Sequence, residues 1–248
     1  MEIADCNENG VSSRGQGSNV VVQGGRITGS VGENGVACED GGHAEVRGVE
    51  IANSNDSGVF CDGPGSKVVV QGGRITGSVE HNGVACHEGG QAEVRGVEIA
   101  DCKECGVFCT DQGSKVVVQG GRITGSKNFD GVECQFGGQV EVRDVQISDC
   151  RRYGLSSDGR GSRISGANIQ VARCPKAVFV TRGGEGRCGP LTTGGCLLAG
   201  GQDWSTHDPS KAPMRCSVTG ESAMECGYGG VSSLSANGCF ELNLKCKM

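Results

Sequence analysis

Apolar residues return along this chain at a fixed interval, with polar and small residues between them. Ile3, Ile27, Ile51, Ile75, Ile99, Ile123 and Ile147 are 24 residues apart, and Val22, Val46, Val70, Val94, Val118 and Val142 keep the same interval. Ile169 comes 22 residues after Ile147 and reads as the next member of the first series. Each interval holds three short segments that alternate apolar and polar positions, the period-two pattern of a strand with one face turned inward. The first is Gly-Val-x-Cys, as in Gly35-Val36-Ala37-Cys38 and Gly83-Val84-Ala85-Cys86. The second is Ala44-Glu45-Val46 or Val68-Val69-Val70, and the third Gly48-Val49-Glu50-Ile51 or Gly24-Gly25-Arg26-Ile27. Gly, Ser, Asn and Asp clusters such as Asp40-Gly41-Gly42 separate them as turns. No stretch carries helical spacing.

Every second interval is nearly a copy. The eleven residues Val68 to Ser78 recur at residues 20–30 and 116–126, a spacing of 48. A strict internal repeat has to be read before anything else, because it dictates the architecture. Nothing in the unit provides a tight hairpin, so the strands cannot fold back on one another. The economical arrangement is a coil whose rungs stack about 4.8 Å apart with equivalent strands paired in parallel. The expectation is an all-β, single-stranded parallel β-helix with about 24 residues and three short strands per rung, and seven to eight rungs.

These rows and the recurring Gly-Val-x-Cys segments resemble the right-handed parallel β-helix superfamily. The likeness is to the short repeats shared by pectate-lyase-like proteins and by β-helical protein-interaction modules. It covers residues 1–182, the expected repeat domain. It implies a right-handed coil, and it leaves activity open, because the superfamily holds lyases, hydrolases, epimerases and non-enzymes. After Cys174 the repeat dissolves. Residues 183–248 read as a Cys-rich irregular segment or cap carrying Cys188, Cys196, Cys216, Cys226, Cys239 and Cys246.

Composition narrows the classes. The chain has 46 Gly in 248 residues without a Gly-X-Y period, so it is not collagen-like, and the long repeat excludes low-complexity disorder. A net charge of −6 argues against nucleic acid as a partner. No apolar run reaches the roughly 18 residues of a membrane span. No signal peptide is visible, and Met1 falls inside a repeat, since residues 2–6 match residues 98–102. Such a chain is expected to lack an N-terminal cap or to be one piece of a longer protein. The six tail cysteines would form disulfides outside the cell, while cysteines along the coil suit a reducing compartment equally. The balance tilts toward an extracellular setting, and localisation is otherwise open.

The rows also carry candidate chemistry. Cys38, Cys61, Cys86, Cys109 and Cys134 fall at one inward position per rung. They read as small buried hydrophobes with free thiols, because a ladder of ligands diverges along a line and does not converge on a metal. The outward row Glu2, Arg26, Glu50, Arg74, Glu98, Arg122, Gln146 alternates in sign, which explains a 48-residue sequence unit over a 24-residue rung. A second outward row is Ser12, Ala37, Phe60, Ala85, Phe108, Glu133, Ser156, flanked by Glu39, Asp62 and His87 and, at the following turn, Asp111. Phe60, Phe108, Glu39, Asp62, His87 and Asp111 are the candidate binding residues, and Asp62, His87 and Asp111 the alternative catalytic set. Phe60 and Phe108 should point outward on rungs two apart, covered by the C-terminal segment or by a partner.

Near-identical units favour a non-catalytic scaffold that presents an extended surface to a protein or polysaccharide. The alternative is a polysaccharide lyase, hydrolase or epimerase. An Arg-x-Pro-x-x-Arg signature and an Asp-Pro-His motif, expected from the resemblance to such enzymes, are both absent. Calcium enters only under the lyase reading, and no other cofactor or metal is expected. Ice binding is disfavoured, since Thr28, Thr76 and Thr124 occur only on every second rung.

Overall fold

The structure, a computed structural model, describes residues 1–189, 191–194, 197–199, 215–219 and 239–241. All its regular elements are strands. They coil into about eight turns and pair in parallel, apart from one antiparallel contact between Arg215–Thr219 and Cys239–Glu241. Parallel pairing extends past residue 182: Glu185–Cys188 pairs with Arg163–Ala167, and Leu197–Ala199 with Lys176–Thr181.

Two sheets form the walls. The short sheet stacks Val11–Arg14, Val36–Glu39, Val59–Asp62, Val84–His87, Val107–Cys109, Val132–Gln135, Tyr153–Asp158, Lys176–Thr181 and Leu197–Ala199 in that order. The long sheet contains the second and third segments of each rung. In four rungs these two segments run together as single ten-residue strands: His43–Ala52, Lys67–Thr76, Gln91–Ala100 and Lys115–Thr124. Three separate strands per rung therefore hold only at the ends of the coil. Gly48, Gly72, Gly96 and Gly120 turn the corner in the left-handed region, at φ between 60° and 66°, without breaking the ladder. Toward the ends of the coil, where Gly24, Asp144 and Asn168 occupy that corner, the strand divides in two.

The inward rows are in register. Ile27, Ile51, Ile75, Ile99, Ile123 and Ile147 pair rung on rung, each at most 1% exposed. Beyond Ile147 the row passes to Val171, not to Ile169 as the 22-residue spacing suggested. Ile169 instead pairs with Leu191 in the parallel inward row two positions earlier. The 24-residue period is kept at this point, and both positions are apolar, so the sequence spacing alone does not separate them. Cys38, Cys61, Cys86, Cys109 and Cys134 are paired in register, fully buried, with free thiols. Burial pushes the Cys38 thiol up to about 12.

A second corner gives a steric reason for the 48-residue unit. Asp5, Gly29, Asn53, Gly77, Asp101, Gly125 and Asp149 all adopt positive φ, Gly alternating with Asp or Asn. A Cβ on Gly77 would stand 2.7 Å from Asn53 Oδ1, and one on Gly125 2.9 Å from Asp101 Oδ1. The side chain of one rung lies over the Gly of the next, which favours alternation as far as Asp149; there the next rung carries Arg173, whose guanidinium donates to Asp149. The charged row obeys the same period: Arg26 lies 3.6 Å from Glu50, Arg74 lies 3.7 Å from Glu98, and Arg122 donates to Gln146 at 3.2 Å. These groups are about half exposed, so the pairs add little stability and mainly penalise register slips.

Candidate functional site

The outer face of the short sheet is built by strand alternation. Val36, Val59, Val84, Val107 and Val132 face the core, as do the cysteines two residues on. The residue between must face outward. Ser12, Ala37, Phe60, Ala85, Phe108, Glu133, Ser156 and Phe179 follow one another in register along that face. Phe60 and Phe108 are half-buried and absent from the core cluster, while Ala37 and Ala85 beside them are at most 1% exposed.

His87 fills the gap between the two rings. Its centroid lies 5.2 Å from that of Phe60 and 5.6 Å from that of Phe108, edge-on to both. The three side chains form one continuous aromatic run across three rungs, with edge-to-face contacts each worth about 0.5–1.5 kcal/mol. Burial pushes His87 below the usual imidazole value, while Asp111 and Asp62 pull in the opposite direction. Asp62 is the register partner of His87. Glu39, in register with Asp62, is drawn away by Arg14, whose Nε stands 3.7 Å from Glu39 and 3.0 Å from Asp40. The fold thus gathers Phe60, His87 and Phe108 with Asp62 and Asp111 nearby, and gives Glu39 a separate partner. Residues that would cover this face from the C-terminal segment lie outside the described residues.

A second group on the same face was not singled out from the sequence. Glu133 is the register partner of Phe108 and is only 5% exposed. Cys105 Sγ donates to Glu133 Oε2 at 3.1 Å, and Gln135 donates to the other oxygen. Asp130, fully buried, accepts the Tyr153 N–H on Oδ1 at 3.1 Å. Its Oδ2 has no hydrogen-bond partner, although the Ser156 hydroxyl lies beside the carboxyl. Burial, and then Glu133, push Asp130 up to about 7, against Arg152, whose Nε is 4.0 Å from Oδ1. Farther along, Tyr153 stacks on Phe179 at 4.2 Å, with Arg152 over Phe129 and Tyr153 and Lys176 over Tyr153 and Phe179. The signal for this group is irregularity. Glu133 stands where the other rungs carry Phe, Ala or Ser, and Asp130 where the rungs before it carry Asn, Ser or Cys.

Among the described residues no three His, Cys, Asp or Glu side chains converge as metal ligands, and no helix is long and apolar enough to cross a membrane. Neither the curated proteins nor the solved structures contain a significant match to this chain. A family model described as the right-handed β-helix region matches residues 1–133, more than half of the chain. With the parallel coil, the stacked rows and this match together, the chain belongs to the right-handed β-helix family.

Proposed function

We propose that this protein is a non-catalytic β-helical scaffold that binds an extended polysaccharide along the outer face of the short sheet. The observation that carries this reading is the half-exposed Phe60–His87–Phe108 run. Two rings on rungs two apart stand about 9.6 Å from each other along the axis. Sugar rings present apolar C–H faces to aromatic surfaces and hydroxyls to carboxylates, and Asp62 and Asp111 flank the run. A monomer seldom leaves such an apolar strip without a use. The test is binding of a panel of soluble polysaccharides by affinity electrophoresis and calorimetry. The Phe60→Ala/Phe108→Ala variant should bind the preferred glycan about tenfold more weakly or worse, a loss of about 1.4 kcal/mol or more. Equal binding by the variant, or no glycan bound by the wild type, refutes the assignment.

One observation favours a second reading, a polysaccharide hydrolase or lyase. Asp130, raised to about 7, is partly protonated at neutral pH, in the range of a general acid, and its neighbour Glu133 is the register partner of Phe108 in the aromatic run. Release of reducing or unsaturated ends, lost in Asp130→Asn and in Glu133→Gln, would establish it. Calcium would be a participant only if the ends are unsaturated. Absence of turnover on every bound glycan leaves the scaffold.

A further inference from the structure

The turn that leads into the short sheet forms a continuous outer edge. Backbone hydrogen bonds from Lys103 N to Ser78 O, Lys127 N to Cys102 O and Arg151 N to Ser126 O, each 3.0 Å, stack this turn rung on rung. At the apex of this turn charge separates by sign along the coil, whereas on the long sheet it alternates; Asp149 in the second half is paired with Arg173, and Asp130 is buried. Its first half carries Glu8, Glu33, Asp56 and Glu80, and its second half Lys127, Arg151, Arg152 and Lys176. The halves meet at one rung that holds both signs, Lys103 and Glu104. From Glu33 to Arg152 is five rungs, about 24 Å, well beyond the roughly 10 Å over which salt screens exposed charges. The outer members of the two blocks therefore cannot neutralise each other within one molecule.

Local pairing compensates the blocks only in part. His81 lies 3.4 Å from both Asp56 and Glu104, and Lys103 lies 2.8 Å from Glu80. Lys127 and Arg151 are exposed and make no ion pair among the described residues, and the same is true of Glu8 and Glu33. The acidic half also exposes Val31 and Val79, at 64% and 47%, two unusually bare apolar residues in one column with Lys103, Lys127 and Arg151. At its far end an open polar cleft of about 300 Å³ is lined by Glu8, Asn9, Ser12, Arg14, Glu33 and Glu39.

We infer that this edge is the interface of an antiparallel two-fold dimer, in which the acidic half of each copy lies against the basic half of the other. A two-fold contact is isologous, so a surface must complement itself after rotation. An edge acidic at one end, basic at the other and mixed at the midpoint satisfies that requirement, with the axis at the Lys103–Glu104 rung. Each pairing occurs twice. The long aliphatic stem of Lys127 then covers the partner's Val79, and Arg151 lies against its Asp56, one rung from Val31, so that both charges reach carboxylates of the partner. The glycan-binding face proposed above is a different surface and is not needed for this contact.

Sedimentation of the full chain at about 20 mM and about 500 mM salt tests the salt dependence. The wild type should be a dimer at low salt and shift toward monomer at high salt. Lys127→Glu/Arg151→Glu reverses the charge on two rungs of the basic half, and Asp56→Lys/Glu80→Lys reverses it on the two rungs that the two-fold places opposite them. Each variant alone should be monomeric at low salt, with an unchanged circular dichroism spectrum. An equimolar mixture should form a heterodimer, because both halves then face opposite charge. A monomeric wild type at low salt, association untouched by the substitutions, or a mixture that stays monomeric would each overturn the inference.

Discussion

At one column of the turn, Asn9, Asn34, Asn82 and Asp130 each use a side-chain oxygen to accept a backbone N–H from the next rung. The amide does this without charge, whereas Asp130 must hold a proton or bury an anion beside Glu133. Its carboxyl is raised to about 7 in the fold, from an ordinary value of 3.8. A raised carboxyl value means the folded state holds the proton more tightly than the unfolded chain does. This contribution is therefore complete below the ordinary value and is lost as pH rises through about 7, at up to about 1.4 kcal/mol per pH unit. Asp130→Asn should remove that slope, so chemical denaturation should find the variant more stable than wild type at pH 8 and closer to it at pH 4. A wild-type stability flat between those values would contradict the buried, protonated state. Cys86 sets the opposite case, a fully buried small hydrophobe between Cys61 and Cys109. Cys86→Asp introduces a charge with no partner and should cost several kcal/mol, while Cys86→Ala should cost only about 1. Thermal unfolding of the two variants separates burial from tolerance.

At the level of the element, the coil turns on left-handed corners whose steric surroundings differ. Gly96 has φ 61° and open space where a Cβ would go. Gly77 has φ 65° and Asn53 Oδ1 at 2.7 Å from that point. Gly96→Ala should cost only the backbone term, about 1 kcal/mol. Gly77→Ala pays that and must also displace the Asn53 side chain, so its melting temperature should fall further. Trimming the neighbour should relieve the difference: Asn53→Gly in the Gly77→Ala background should recover part of the loss. Equal melting temperatures for Gly77→Ala and Gly96→Ala would show that the stacked Asn53 does not dictate the alternation.

For the whole molecule, stability in a coil is a sum over rungs and the contacts between neighbours. Central rungs have two neighbours in register, as Lys67–Thr76 has with His43–Ala52 and Gln91–Ala100. The first rung has one, and Ile3, Val11 and Val20 there are only partly buried. Amide exchange should therefore be fastest in Glu2–Ala4 and Val11–Arg14 and slowest in Lys67–Thr76 and Gln91–Ala100. Uniform protection from Glu2 through Thr124 would mean that the rungs open only together. The exposed Arg74–Glu98 pair should matter little to this profile, with Arg74→Gln changing stability by about 1 kcal/mol or less.

The sequence by itself determined the coil, the rung length and the inward rows. A strand side chain has only two directions, and a period of 24 applied to period-two strands leaves no choice of face. It also determined that Phe60 and Phe108 point outward, by the same alternation. Tertiary structure decided what lies between and beside them. Whether His87 packs on the rings, or Glu39 turns to Arg14, depends on rotamers and neighbours across rungs, which no period encodes. The corner residues needed the structure as well: a Gly beside an Asp reads as a turn in sequence, and only stacking shows one lying over the other. The acid pair was visible as letters out of pattern. Its burial, and so the raised Asp130 carboxyl, follows from Cys105 on the rung before and Arg152 and Tyr153 on the rung after closing over it.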